Sequence, residues 1–204
     1  MPASRLGRNV FALAAVSFLT DVASDMTYPL LPLFLSSVLG AGATAVGAIE
    51  GAAESTAALL KLGSGWLSDR VRRRKPLVLL GYGIASLIRP LIGLAQSATQ
   101  VLAVRVADRV GKGIRGAPRD ALIADSVDPS VRGRAFGFHR AADHAGAVVG
   151  PLVAFALLRW TEMDLRQLFL LTIVPGALAV AALIFGVREV PRVTGSSKRF
   201  DPHA

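Results

Sequence analysis

Residues 65–95 read GWLSDRVRRRKPLVLLGYGIASLIRPLIGLA, a basic segment followed by a long apolar run. Arg70 and the four consecutive basic residues 72–75 make the first part cationic, whereas Arg89 is the one charged residue in 76–95. A helix rises about 1.5 Å per residue, so the apolar run is long enough to cross the roughly 30 Å hydrocarbon core of a bilayer. The stretch therefore predicts a membrane-spanning helix that follows a basic loop.

The whole chain combines the same two properties. Of its 204 residues 52% are hydrophobic, the mean hydropathy is +0.51, and the formal net charge is +9. A basic excess favours nucleic acid as a partner and an apolar excess favours a bilayer, so the positions of the charges distinguish the two. The absence of cysteine excludes disulfides, thiolate metal sites and cysteine nucleophiles.

Apolar stretches similar to residues 76–95 recur along the chain. The six predicted spans are residues 10–39, 43–67, 76–95, 101–123, 135–158 and 168–187. We expect Pro29 and Pro32 to bend the first span. A secretory signal is the weaker interpretation of this span, because Asp21 and Asp25 interrupt it. The prediction is an all-α polytopic membrane protein, with a six-helix bundle over residues 1–190 and a polar cytoplasmic tail, or the start of a central linker, over 191–204.

Basic residues outside the spans lie mainly on one side of the predicted membrane. Only Arg159 and Arg166 fall in the opposite loops, where Glu162 and Asp164 balance them. Because basic loops stay inside, both termini are predicted to be cytoplasmic in a cell (inner) membrane, and the positive charge indicates orientation rather than nucleic-acid binding. The residues on the cytoplasmic side are Arg5, Arg8, Arg70, residues 72–75, Arg132, Arg134, Arg188, Arg192, Lys198 and Arg199.

Charged residues also lie inside the spans. A lone charge near the bilayer centre costs at least about 2.5–3.5 kcal/mol, so these residues must pair or face a wet interior. Their steps of three and four residues place them on single helix faces. Structural ion pairs and a polar transport pathway both remain open, and the set as a whole favours a pathway. The pathway candidates are Arg105, Asp108, Lys112, Arg115, Arg140 and Asp143.

Carboxylates in the first two spans are candidates for proton coupling. A carboxyl group that leaves water without a neighbouring cation holds a proton more readily, so such a group could load and release a proton during transport. Neutralising Asp25 is predicted to abolish the coupling. The candidates are Asp21, Asp25, Glu50 and Glu54.

Other motif matches have simpler interpretations. His139, Asp143 and His144 do not supply a full ligand set, so we expect no metal, and no cofactor. The G-x-G-x-x-G match at residues 111–116 lacks a preceding strand, which argues against a dinucleotide site. An intramembrane protease built on Ser64 and a histidine is a distant alternative.

Two segments resemble motifs of the major facilitator superfamily of secondary transporters. Residues 65–76 resemble its cytoplasmic motif A, with Arg72 in place of the second glycine, and residues 109–117 resemble motif B. The resemblance implies a role in proton transfer for Arg109, with Arg105 as a competing choice. It implies a cytoplasmic gating motif formed by Gly65, Asp69, Arg70, Arg73 and Arg74.

The fifth span is similar to motif C, which is found in antiporters of this family. Its glycines permit close helix packing and its proline bends the span, so the segment is predicted to act as a hinge. Ala154 and Phe155 stand where the family has a closing glycine pair. The hinge residues are Gly137, Gly146, Gly150 and Pro151.

The resemblance implies two three-helix repeats of inverted topology, alternating access and proton-coupled export of a small solute, with no enzymatic activity. Members of this family have twelve helices, and this chain supplies only the first six. We therefore expect either a truncated or partial transporter, or pairing with a second six-helix half in cis or in trans, or a homodimer. The alternative function is a non-transporting six-helix membrane protein that serves as a partner half or remnant. The sequence leaves the substrate open.

Overall fold

The computed structural model describes residues 6–71 and 73–190, with the backbone alone for Leu67 and Asp69. Arg72, the carboxylate of Asp69 and the predicted tail 191–204 lie outside the described part of the chain. The described residues form α-helices and no strand. The helices are α1 (Arg8–Asp25), α2 (Ala43–Arg70), α3 (Lys75–Ile88), α4 (Ala98–Asp125), α5 (Arg132–Trp160), α6 (Leu165–Leu171) and α7 (Ile173–Gly186).

Prolines interrupt two of the predicted spans. After α1 the chain forms a 3-10 turn at Tyr28–Leu30, a short α turn at Leu31–Leu33 and a π turn at Phe34–Val38. After α3 it forms a 3-10 helix at Arg89–Leu94 that contains Pro90. Proline has no N–H to donate and its ring crowds the preceding turn, so the regular helix ends near these positions. The bend expected at Pro29 and Pro32 thus falls in a segment where the regular helix has already ended.

Several helices extend beyond their apolar runs. The structure places Arg70 in the last turn of α2, and Arg132 and Arg134 in the first turn of α5. These three residues lie outside the predicted apolar spans, and their backbone is nevertheless helical. Arginine is a good helix former, and its long side chain can place the charge in water while its backbone stays helical.

The helices pack in two groups that meet at α3 and α7. One group places α1 against α5 and α7, and the other places α4 against α2 and α3. Close approach depends on glycine where α3 meets α4, since a Cβ on Gly81 would lie 2.6 Å from the carbonyl oxygen of Gly111. Exchanging α1 with α4, α2 with α5 and α3 with α7 gives the same set of packed helix pairs.

Apolar clusters occupy both ends of the bundle. One contains Val10, Leu13, Tyr82, Ile123 and Leu183, and the other contains Leu31, Phe34, Ile49, Val101 and Phe169. Asp21 and Asp25 of α1 and the charged residues 105–120 of α4 fall between them along the helices. The two clusters thus hold a polar centre at mid-height.

Four helical stretches are long and apolar enough to cross a bilayer: Arg8–Val38, Lys75–Leu94, Pro129–Trp160 and Leu165–Gly186. The other two, α2 and α4, have 28 residues each and carry rows of charged side chains. Large apolar side chains point outward, including Leu62 on α2, Phe155 on α5 and Phe185 on α7. The all-helical membrane architecture is confirmed in this coarser form, and the count of six spans stays a prediction.

Candidate functional site

Arg89, Asp108 and Tyr28 form the buried centre of the bundle. The Arg89 guanidinium donates to Asp108 Oδ1 at 2.9 Å and to the Thr20 carbonyl at 3.2 Å, while the Tyr28 hydroxyl donates to Asp108 Oδ2 at 2.5 Å. Arg89 and Asp108 are only 3% and 2% exposed. A buried ion pair survives when hydrogen bonds satisfy its remaining lone pairs, and the second carboxylate oxygen here has the tyrosine.

Two arginines of α4 also lie against the ring of Tyr28. The Arg105 guanidinium lies 4.0 Å from the ring centroid and that of Arg109 lies 5.1 Å away. Arg105 donates from two nitrogens to the two carboxylate oxygens of Glu50, and Arg109 Nε lies 3.8 Å from Glu54 Oε2. Both carboxylates come from α2, so α2 and α4 are joined by charge along one face.

A polar cavity of about 270 Å³ lies beside this centre. Asp21 and Asp25 of α1 line one side, and Lys112 and Arg115 of α4 line another. Within the described residues none of these four charges has an ion-pair partner within 4 Å. Arg115 is 7% exposed, its guanidinium stacks 4.3 Å from the Tyr82 ring centroid, and its Nη1 has no hydrogen-bond partner there.

A second polar cavity of about 530 Å³ adjoins the first, because Asp21, Lys112 and Arg115 line both. Arg119 lines it as well, paired with Asp120 at 2.9 Å and donating to the Ser17 hydroxyl at 3.4 Å. The remaining charged and titratable side chains in its lining are Glu54, Lys61, Arg140, Asp143 and His144.

Asp143 on α5 faces two cationic or titratable neighbours. Its Oδ2 lies 3.5 Å from His139 Nδ1 and 3.8 Å from Arg140 Nη1. His139 is buried, and its Nε2 has no partner in the described part of the chain. Among those residues no three histidine or carboxylate groups lie close enough to hold a metal ion. Ser64 donates to the Lys61 carbonyl rather than to a histidine.

Only part of the predicted gating motif contacts the rest of the bundle in the described residues. The Arg74 side chain pairs with Asp125 at the end of α4, and the backbone N–H groups of Arg74 and Lys75 each donate to Glu189 at 3.0 Å. That carboxylate satisfies free N–H groups at the start of α3. A gating role for the motif stays a prediction.

The other residues of the motif make fewer contacts. Arg70 stacks 3.7 Å from the Trp66 ring centroid, Arg73 is exposed, and a Cβ on Gly65 would meet nothing within 4 Å. Asp69 lies outside the residues whose side chains are described.

The glycine row of α5 divides into two parts. A Cβ on Gly146 would lie 2.5 Å from the Phe18 carbonyl oxygen, and one on Gly150 would lie 2.8 Å from that of Val22. A Cβ on Gly137 would meet nothing within 4 Å. Pro151 lies inside the continuous helix α5. Gly146 and Gly150 therefore bring α5 against α1, whereas Gly137 does not, and the hinge role of the row stays a prediction.

Comparison with known proteins decides the family. The family model of the Major Facilitator Superfamily matches residues 13–203. The chain belongs to the major facilitator superfamily. The family resemblance in the sequence is thereby confirmed.

Related major facilitator chains match over nearly the whole sequence. An uncharacterised MFS-type transporter of Methanocaldococcus jannaschii is 37% identical over 195 residues, which cover 96% of this chain and 48% of that one. The multidrug resistance protein MdtG of Serratia proteamaculans is 32% identical over 170 residues, covering 81% of this chain and 40% of its own. The chain spans about half the length of the curated relatives it matches.

The fold agrees with solved transporters. A bacterial homologue of the human lysosomal transporter Spinster, in an inward-facing and unoccupied conformation, superposes with a TM-score of 0.78 at 20% identity. The match covers 95% of this chain and 45% of that one. At this level of identity the likeness concerns the fold alone.

Two residues of this major facilitator site were missed as candidates. In the sequence, Arg89 is a single charge in an otherwise apolar span, and Tyr28 is one residue of the first span. A single arginine in such a run is a signal by itself, because it needs a buried acceptor. Tyr28 carried no comparable signal, since its role depends on its distance from Asp108, 80 positions away.

Proposed function

We propose that this chain is the amino-terminal half of a proton-coupled transporter that exports a small solute by alternating access. The observation that carries the proposal is the polar cavity between α1 and α4, which contains the unpaired carboxylates of Asp21 and Asp25. Charges inside a membrane bundle are costly unless they pair or face a water-filled cavity, and such residues mark substrate and ion pathways. A solute and a proton would share this pathway.

The proposed topology has six spans arranged as two inverted three-helix repeats, with both termini in the cytoplasm. The exchange symmetry of the helix pairs supports the repeats. Asn9 Nδ2 donates to the Arg188 carbonyl at 2.9 Å, and the Arg188 N–H donates to Asn9 Oδ1 at 2.8 Å. These bonds place the start and end of the described bundle together, and the basic loops there favour the cytoplasmic side of the cell membrane.

A second half completes the proposed transporter. The matched relatives are about twice as long as this chain. Large apolar side chains remain exposed on α2 and α5, including Leu59, Leu62, Leu152 and Phe155. We propose that a second six-helix half, in cis or in trans, or a second copy of this chain covers part of this surface.

Asp25 is the proposed proton carrier. It lines the smaller cavity, and no described cation lies within 4 Å of its carboxylate. Glu50 and Glu54 are weaker candidates, because the arginines of α4 already neutralise them. Arg109, which faces Glu54, is assigned a positioning role in this pathway rather than the proton itself.

Proton coupling is tested in inverted membrane vesicles loaded with a pH-sensitive dye. The vesicles contain the chain alone or together with a supplied second half. A panel of amino acids, organic acids and organic amines is added, and we expect at least one solute to cause a pH change that requires the chain. Asp25→Asn removes the exchangeable proton and should abolish this signal. Asp128→Asn, an exposed loop residue, should leave it unchanged.

Two results would oppose the proposal. An unchanged pH signal in Asp25→Asn would exclude Asp25 as the carrier. Reconstituted protein that moves no solute, either alone or with a supplied second half, would favour a non-transporting six-helix protein.

A further inference from the structure

The smaller cavity is divided into an acidic wall and a basic wall. Asp21 and Asp25 lie four residues apart on α1, and Lys112 and Arg115 lie three residues apart on α4. Each pair is spaced to present both side chains on one helix face. The two walls share one cavity, yet no ion pair within 4 Å joins them in the described structure.

The neighbouring charges do not need a ligand. Arg89 is neutralised by Asp108, and Arg105 is neutralised by Glu50. Arg109 also lines the cavity, and its Nε lies 3.8 Å from Glu54 Oε2. This leaves the cavity with two unmatched positive and two unmatched negative groups. Of these groups Arg115 has the greatest need of an anionic partner, because it is 7% exposed and its Nη1 has no hydrogen-bond partner among the described residues. A buried charge without a partner is unfavourable unless something that enters the site supplies one.

We propose that this cavity binds a small zwitterionic solute, with its anionic group on Arg115 and Lys112 and its cationic group on Asp21 and Asp25. The assignment rests on the proposed transport function and names its substrate class. A purely anionic solute would leave the acidic wall unmatched, and a purely cationic solute would leave Arg115 unmatched. A volume of about 270 Å³ is near the lower end of ligand pockets and suits a solute of amino-acid size.

The zwitterion also accounts for exchange with protons. A proton and a solute ammonium group compete for the carboxylates of Asp21 and Asp25. Binding of one then favours release of the other, which is the competition that export against proton entry requires.

The charge preference is measured by calorimetric titration of the full chain in lipid nanodiscs at constant pH. The probes are two isomeric zwitterions, leucine and 6-aminohexanoate, whose charged groups are separated by one and five carbon atoms. Leucine without its ammonium group or without its carboxylate gives the singly charged probes, 4-methylpentanoate and 3-methylbutylamine. We expect at least one zwitterion to bind tenfold or more tightly than either singly charged probe.

Variants show which wall binds which charged group, because they change the ratio of affinities for the zwitterion and the singly charged probes. A variant that is only less stable would not change this ratio. Asp25→Asn should remove the advantage of the zwitterion over 4-methylpentanoate, and Arg115→Gln should remove its advantage over 3-methylbutylamine. Lys61→Gln is the matched control, since Lys61 lines only the larger cavity. It should preserve both preferences.

The outcomes separate this inference from the transport function. Equal or tighter binding of either singly charged probe, or no binding of both zwitterions, would overturn the zwitterion assignment. A proton-coupled flux of some other solute would then leave the transport function standing. Zwitterion binding without any flux would support the site and oppose transport.

Discussion

At the scale of single residues, Arg89 joins three parts of the chain that are distant in sequence. It donates to Asp108 on α4 and to the Thr20 carbonyl of α1, and Asp108 in turn accepts from Tyr28. Removing the guanidinium would leave a carboxylate 2% exposed with a hydroxyl as its main donor. Such an uncompensated buried charge is far more costly than the loss of an exposed pair.

Arg89→Gln is therefore expected to reduce the free energy of unfolding by about 3–5 kcal/mol. Arg140→Gln is the control, because its side chain is 66% exposed and lies 3.8 Å from Asp143. Its cost should stay within about 1 kcal/mol. Denaturant titration of the purified protein in detergent micelles measures both, and equal losses would contradict the central role of Arg89.

At the scale of helices, the contact between α1 and α5 depends on particular glycines rather than on the whole row. Gly146 and Gly150 face the backbone of α1, whereas Gly137 belongs to the same sequence motif and faces open space. The sequence predicted close packing for the whole row. The position where the two helices cross decides which of these glycines allow close packing.

Gly146→Ala is expected to destabilise the bundle by about 1–3 kcal/mol, because its Cβ would lie 2.5 Å from the Phe18 carbonyl oxygen and α1 must move. Gly137→Ala meets no atom within 4 Å and should be neutral or stabilising by up to about 1 kcal/mol. Thermal unfolding of the two variants in the same detergent measures the difference. Similar shifts in both would show that α1 and α5 do not cross at Gly146.

At the scale of the whole molecule, the absence of cysteine allows the orientation to be tested without background. Thr161 lies between α5 and α6, and Ser130 lies between α4 and α5, so the two loops are at opposite ends of α5. Both residues are exposed. A single cysteine at either position reports which side of the membrane its loop faces.

Thr161→Cys is expected to react with a membrane-impermeant maleimide on intact cells, and Ser130→Cys only after the membrane is permeabilised. The physical reason is the retention of basic loops on the cytoplasmic side. The unsubstituted chain provides the control and should give no labelling. The reverse pattern would invert the proposed topology.

The sequence by itself determined the helical membrane class, the family and the rows of charge on α1, α2 and α4. These features depend on the length of apolar runs and on three- and four-residue spacing, which are local properties of the chain. Proline chemistry, which is also local, predicted a bend at Pro29 and Pro32.

The tertiary structure alone decided which of the described charges pair with one another and which do not. Arg89 meets Asp108 across 19 positions, and Arg105 meets Glu50 across 55. Spacing along one helix cannot give these partners, because they depend on where two helices cross and on the turns near Pro29 and Pro90. Ion pairs neutralise most of the intramembrane charges. In the described part of the chain, Asp21, Asp25, Lys112 and Arg115 have no ion-pair partner within 4 Å and surround one cavity.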